Sequence, residues 1–366
     1  MHNLAFRDQP LVGTALTARQ RRLGPSSAQV RRSAQHGPAC HTPSVLEPRS
    51  TVQARSAPVG AAIDIGAYSV HLLVAEVHGH SLVPIVDESI ALGLGATVDT
   101  RGELGAEAAL ELIDALEAYH GLARRHGAST MAIVGTDPLR RAADSPAVVA
   151  AIGRRIAVEI QILRPDEEAM LALLGVHAGK PIRRETVLVD VGGGSSEILV
   201  VGPTGDPVIV GLPLGAARLS QGNIAGAAPT AREIDGMLAT ARAVLAGAPD
   251  GLPVDLVAVG GTASNLLRIG PPLARRVLFT RRIRDTLALL VDRTPEEIAA
   301  RYGVKLSRAR VLPGGASILL AVAERYGRDH LRVSEHGLRE GLMLASVHAG
   351  PGWRADLAWL AHGWSR

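Results

Sequence analysis

At 366 residues the chain exceeds what one hydrophobic core ordinarily serves, so two domains are expected. Phe6 and Phe279 are its only phenylalanines, which leaves Ala, Val, Leu and Ile to build the core and excludes aromatic platforms for stacking single-stranded nucleic acid. The net charge of +4 is concentrated at one end: residues 1–60 hold eight arginines against Asp8 and Glu47, so the rest is near neutral and no specific nucleic-acid surface is expected.

In chain order, residues 1–57 mix Ser, Pro, Arg, Gln and His without periodicity and read as a disordered basic extension. Arg21-Arg22 is followed by no apolar segment, so a secretory signal is not expected. No apolar run of about 18 residues follows, so no membrane helix is expected either. Cys40 stands alone, which fits a protein of the reducing cytoplasm. Strands are predicted at 59–66, 70–76 and 81–86, and apolar spacing predicts a helix over 105–126. A short buried strand at 131–134, a helix over 145–156 and a strand at 158–163 follow, and Pro165 opens another helix. Strands are then expected at 187–191, 198–201 and 207–210, with an amphipathic helix over 230–246. A strand at 256–259, helices through most of 282–327, a strand at 331–333 and a helix over 337–347 complete the pattern. Alternating strands and helices in both halves predict two α/β domains, 58–184 and 185–347, with 348–366 as a C-terminal tail.

The chemistry concentrates in Asp190-Val191-Gly192-Gly193-Gly194-Ser195-Ser196-Glu197. Three glycines without Cβ atoms can take positive φ and come close to an anion, with their N–H groups forming a phosphate nest. Asp190 and Glu197 flank that nest, where the metal of a phosphate would need oxygen ligands. A tight hairpin with solvated acids is the plain alternative. The tie is broken by an ungapped internal repeat: Asp64-Ile65-Gly66-Ala67-Tyr68-Ser69-Val70-His71 matches Asp190 to Glu197. Two such hairpins about 126 residues apart predict a duplicated domain whose two loops face each other across a cleft.

With these motifs the chain resembles the exopolyphosphatase and guanosine pentaphosphate phosphohydrolase family, over about residues 58–346. The resemblance rests on both loops, on Thr136…Leu139-Arg140, Asp166-Glu167-Glu168-Ala169 and Leu214-Gly215-Ala216-Ala217-Arg218-Leu219. It also rests on residues 259–266 and 333–341. It implies an actin-like duplicated fold with an interdomain active site. It further implies hydrolytic release of terminal orthophosphate from polyphosphate or guanosine pentaphosphate. On the resemblance, Glu168 is the base that activates water, although a first-turn acid is also favoured by the helix dipole. Arg140 matches a phosphate-contacting arginine, and Arg218 either contacts phosphate or braces the interdomain region. Gly66, Ser69, Gly192, Gly193, Gly194 and Ser195 become phosphate contacts. Asp64, Asp190 and Glu197 become the acids near a magnesium ion, with manganese as its substitute, and a homodimer is allowed.

The first loop departs from the family pattern Asp-x-Gly-Ser-Asn-Ser-x-Arg. Ala67 lacks a hydroxyl, Tyr68 replaces an amide, and His71 replaces a permanent cation by a group mostly neutral at pH 7. Pro138, Arg141 and Asp144 depart around Arg140. These losses favour weak activity, a shifted substrate, or a non-catalytic sensor of polyphosphate or guanosine tetraphosphate. A phosphotransferase like the acetate and sugar kinases, with Gly260-Gly261-Thr262 at the adenosine side, is the alternative from another class. Arg275, Arg276, Arg281, Arg282 and Arg284 are expected on a solvated helix face rather than steering a polyanion.

Overall fold

The computed structural model describes residues 57–272 and 275–363, so nearly all of the expected basic extension lies outside the described residues. The first half runs β1 (Val59–Ile65), β2 (Ser69–His78), β3 (Ser81–Ala91), α1 (Leu94–Arg101) and α2 (Gly105–Arg125). It continues through β4 (Thr130–Gly135), α3 (Asp137–Arg141), α4 (Ser145–Ile156), β5 (Ile160–Ile162) and α5 (Pro165–His177). The second half opens with β6 (Thr186–Val191), β7 (Ser196–Val201), β8 (Val208–Leu212), α6 (Ala216–Asn223) and α7 (Ala231–Leu245). Next come β9 (Asp255–Val259), α8 (Gly260–Leu266), β10 (Val277–Phe279), α9 (Thr280–Leu290) and α10 (Pro295–Tyr302). The remaining elements are α11 (Leu306–Ala309), α12 (Leu312–Arg325), β11 (His330–Val333), α13 (Leu338–Ala349) and α14 (Leu357–His362).

Two mixed sheets carry the duplication. The first has strand order β3-β2-β1-β4-β5, and the second β10-β11-β9-β6-β7-β8. Setting β10 aside, each is an antiparallel three-strand meander followed by parallel strands. β1, β2, β6 and β7 are apolar, largely β-branched runs buried almost throughout, as strands covered on both faces are. Asp64 pairs with His71 on β1 and β2, and Asp190 pairs with Glu197 on β6 and β7. The hairpin turns close alike: the Gly66 amide donates to the Ser69 carbonyl (3.1 Å) and the Gly192 amide to that of Ser195 (3.0 Å). β3 extends five residues past the predicted strand, as an edge beside β2 with a register shift opposite Val74 and Ala75.

Helix packing crosses the expected boundary at residues 184 and 185. α5, which precedes that point, lies on β6, β7 and β8. α13, from the end of the chain, lies on β1, β4 and β2 and packs against α5. Glycines permit the contact, since a Cβ on Gly341 would enter the backbone of Leu171, and one on Gly175 the backbone of Gly337. α12 is buried from Leu312 to Ala323 and forms the apolar centre of the second half, as a helix hydrophobic all round must.

Residues 348–363 are not a loose tail. Trp353, Leu357 and Leu360 are buried in the layer formed by α5, α13 and the first sheet, and Ala361 closes the neighbouring cluster. Among the described residues, no helix is long and apolar enough to cross a membrane.

Candidate active site

The parallel strands end, and the two hairpins turn, on the floor of a cleft of about 820 Å³. Asp64, Gly66, Ser69, Glu168, Asp190, Gly192, Gly193, Gly194, Ser195 and Glu197 all line it, so ten of the twelve predicted site residues converge. The other two, Arg140 and Arg218, stand behind its walls.

The glycines serve close approach rather than unusual backbone angles. None of Gly66, Gly192, Gly193 and Gly194 lies in the left-handed region. A Cβ on Gly193 would stand 2.8 Å from that of Tyr68, and one on Gly194 would strike the Asp137 carboxylate and come within 2.9 Å of the Ala67 Cβ. The Gly192 carbonyl accepts from Ala216 (2.9 Å), and the Gly193 carbonyl accepts from Ala217 and Arg218 (3.0 and 3.1 Å), at the start of α6. Because each peptide unit is planar and trans, the N–H groups of Gly193 and Gly194 then point away from α6. The loop thus offers consecutive amides to an anion.

The three acids in the first turn of α5 have separate fates. Asp166 is held by Arg164 (2.8 Å) at the surface. Glu167 accepts from the Arg164 backbone (2.8 Å) and is clamped by Arg354 from the C-terminal segment. Glu168 alone turns into the cleft, where it is buried and contacted by Arg140, whose guanidinium also donates to the Leu163 carbonyl (2.7 Å). Helix-dipole stabilisation applies to all three; facing the two loops distinguishes only Glu168. Arg140 therefore meets the predicted base rather than the open cleft. Arg218 reaches from α6 to Asp99 (3.1 Å) and Asp137 (3.4 Å), which Arg141 also binds (2.7 and 2.8 Å), so it braces the two halves. The departures near Arg140 are local too: Pro138 lies in the first turn of α3, and Asp144 accepts from the amides of Leu104 and Gly105 (2.9 and 2.8 Å).

Four carboxyls share this floor, and each is harder to ionise than usual. Burial, then the Asp190 charge, pushes Asp64 up to about 7. Burial, then Glu340, pushes Asp190 up to about 6. Glu168 and Glu197 are likewise raised by burial and by neighbouring carboxylates, with Arg140 opposing. Asp64 Oδ1 and Glu197 Oε1 are buried without a hydrogen-bond partner. Hard, unpartnered oxygens of this kind fit a magnesium-like cation. Among the described residues, no three His, Cys, Asp or Glu side chains are grouped as a ready-made metal cage. The expected trio of Asp64, Asp190 and Glu197 is therefore a loose set, suited to a cation that keeps water and phosphate oxygens as its other ligands.

Cations line the same cleft: Arg268, Arg275, Arg276, Lys305, Arg308 and Arg339, none of them among the predicted site residues, with Arg339 paired to Asp87. Arg275 and Arg276 are exposed, as expected, but they lie in the loop before β10 rather than on a helix and they line the cleft, where Arg276 pairs with Glu335 (2.8 Å). Arg282 and Arg284 do not: the first caps the carbonyls of Leu267, Ile269 and Pro271, and the second pairs with Glu324. Arg308 donates to His71 Nε2 (3.0 Å), while burial and the charges of Arg339, Arg308 and Lys305 hold His71 well below the usual histidine range. A neutral His71 accepting at Nε2 carries its proton on Nδ1. Arg308, in the four-residue helix α11, carries no sequence signal, whereas Arg339 lies in the 333–341 segment that supports the resemblance without having been given a role there.

The model of the Ppx/GppA phosphatase family matches residues 73–349. The chain belongs to that family. It is 27% identical over 304 residues to exopolyphosphatase 1 of Mycobacterium tuberculosis, covering 78% of this chain and 87% of that one. It is also 27% identical over 302 residues to a guanosine-5'-triphosphate,3'-diphosphate pyrophosphatase of Vibrio campbellii, covering 81% of this chain and 60% of the relative. The crystal structure of the Aquifex aeolicus Ppx/GppA family member is 26% identical with a TM-score of 0.68, over 80% of this chain and 99% of that one. An exopolyphosphatase structure from Cytophaga hutchinsonii, 20% identical, shares the fold with a TM-score of 0.70 over 80% of this chain and 98% of its own. The duplicated, actin-like architecture is thus that of the Ppx/GppA family.

Proposed function

We propose that this Ppx/GppA protein is a phosphoanhydride hydrolase that releases terminal orthophosphate from inorganic polyphosphate. The observation that carries the reading is the placement of Glu168, buried, on the same cleft as both hairpin loops and the outward amides of Gly193 and Gly194. In this reading the amides hold the terminal phosphoryl group. A water held by Glu168 attacks its phosphorus in line, the bridging P–O bond breaks, and Glu168 takes the proton. The chain shortened by one phosphate leaves with the bridging oxygen. Arg140 orients the carboxylate, and burial beside Glu197 raises the affinity of Glu168 for the proton that it takes from water. A divalent cation, magnesium or manganese, would be held by Asp64, Asp190 and Glu197 and would neutralise phosphate charge.

Guanosine pentaphosphate is the second substrate, because the same attack removes its terminal phosphate and the Vibrio relative is named for that nucleotide. Inorganic polyphosphate ranks first because, among the described residues, Tyr68 is the only Phe, Tyr or Trp lining the cleft and it lies against Gly193, so that it offers no free ring to a base. The phosphotransferase reading is disfavoured by Arg308, whose guanidinium lies 3.1 Å from where a Gly261 Cβ would stand, over the expected adenosine side. The test is phosphate release from polyphosphate with magnesium. Release no faster than that of Glu168→Gln overturns the reading.

A further inference from the structure

A second cleft, of about 980 Å³, lies between the β2–β3 turn, the end of α5 and the start of β6. Lys180, Arg183 and Arg184 line it, and among the described residues none of these three side chains has an ion-pair or hydrogen-bond partner. Its only acid, Asp255, is already held by Arg332 (2.7 Å). His177 Nε2 is a buried polar atom on its wall with no partner. The cleft thus carries uncompensated positive charge. The C-terminal end of α5 accounts for one nearby cation through the helix dipole, but not for three.

Leu82 and His336 line this cleft and the active cleft as well, so the two adjoin at those side chains. Among the described residues no Phe, Tyr or Trp lines the second cleft, so they give neither a nucleobase nor a single strand a stacking surface. A flexible chain of phosphates without bases matches both its charge and its shape.

We infer that this cleft is a secondary polyanion site, which takes the part of an inorganic polyphosphate chain lying beyond the active cleft, past His336. The inference rests on the hydrolase reading of the first cleft and deepens it, since it makes long polyphosphate the preferred substrate. A guanosine nucleotide has no phosphates left over to reach Lys180.

The test uses the full chain carrying Glu168→Gln, which removes turnover, with and without Lys180→Gln, Arg183→Gln and Arg184→Gln together. Affinities for long-chain polyphosphate and for tripolyphosphate are measured by titration at several salt concentrations. The triple change is expected to weaken long-chain binding about tenfold and to flatten its salt dependence, while tripolyphosphate affinity and melting temperature stay unchanged. In the chain with Glu168 intact, it should raise KM for long chains alone and leave kcat unaltered. Equal weakening for both lengths, or for neither, overturns the inference. So does single-stranded DNA that competes as well as polyphosphate, which would mark a general cationic patch. Failure of the hydrolase reading is told apart by its own sign: no phosphate release by the unaltered chain, whatever the binding titrations give.

Discussion

Glu168→Gln separates a catalytic carboxylate from a structural one, because the two roles predict opposite changes in stability. The ionised Glu168 is opposed by burial and by the Glu197 charge and supported by Arg140, and the balance raises its proton affinity. The fold therefore disfavours the charged form, despite the arginine. A glutamine of the same shape keeps an oxygen for Arg140 to donate to, and Arg140 keeps its bond to the Leu163 carbonyl. Above the folded pKa of Glu168, removing the charge should stabilise the metal-free protein by about 1 kcal/mol, or about 2 °C in a chain of this size. The penalty builds as pH rises from the ordinary carboxyl value of 4.5, so only below that value, where the carboxyl is neutral in the folded and the unfolded chain alike, should the two melting curves converge. Loss of the base should meanwhile lower phosphate release at least about 100-fold. Thermal melting across pH with a chelator present, beside phosphate release from polyphosphate, reads both effects. A melting temperature lowered by the equivalent of about 3–5 kcal/mol would refute the reasoning, because that is the cost of breaking a buried ion pair whose job is structural. Retained turnover would refute the role of base.

Gly194→Ala drives a methyl group into Asp137 and Ala67, so it should abolish phosphate release and destabilise by about 1–3 kcal/mol, measured by activity and denaturant titration. Asp64, at about 7, and Asp190, at about 6, both lie above the ordinary carboxyl value, so the folded state binds more protons than the unfolded one between about pH 4 and 7. Cation-free stability should therefore fall as pH rises through that window and level off above it, and added magnesium should raise the melting temperature more at pH 8 than at pH 5. Trp353→Ala empties a site only 2% exposed and should cost about 3–5 kcal/mol, whereas Trp359→Ala, at a site 54% exposed, should stay within about 0.5 kcal/mol; denaturant midpoints decide.

The sequence exposed what is local and left dark what is relational. Runs of β-branched residues, Pro165 and the two Asp-x-Gly turns mark strands, a helix start and a duplication through their own backbone preferences, and these elements stand where they were expected. The periodicity of 338–349 announces a buried face, but not that the face lies on the first sheet while α5 lies on the second. Residues 87–91 continue β3 although Asp87, Glu88 and Ser89 make that stretch look like a loop; an edge strand tolerates polar residues that a central one would not. The glycine triplet does not take the positive φ that was one reason for singling it out. Its constraint is crowding by Tyr68, Ala67 and Asp137, which come from distant parts of the chain. Among the cations of the cleft, Lys305 and Arg308 carry no motif, and only the fold gathers them beside Arg339 of the 333–341 segment.

The first loop looked impoverished because its residues were weighed one by one. In the folded chain each departure meets a matching residue elsewhere. Ala67 is small where Gly95 and Gly194 press closest, and a hydroxymethyl side chain there would need space that these contacts occupy. Tyr68 lays its ring on the core of the second half and its backbone against Gly193, so the amide it replaces has become a cross-brace between the two hairpins. His71 gives up a cation but accepts from Arg308, which brings a guanidinium from the second half to the same place. Charge at the first loop is therefore supplied across the cleft rather than lost, and supplying it that way couples the cation's position to the closeness of the two halves. Arg308 inside the cleft and Arg218 outside it, bridging to Asp99 and Asp137, thus both tie the second half to the first.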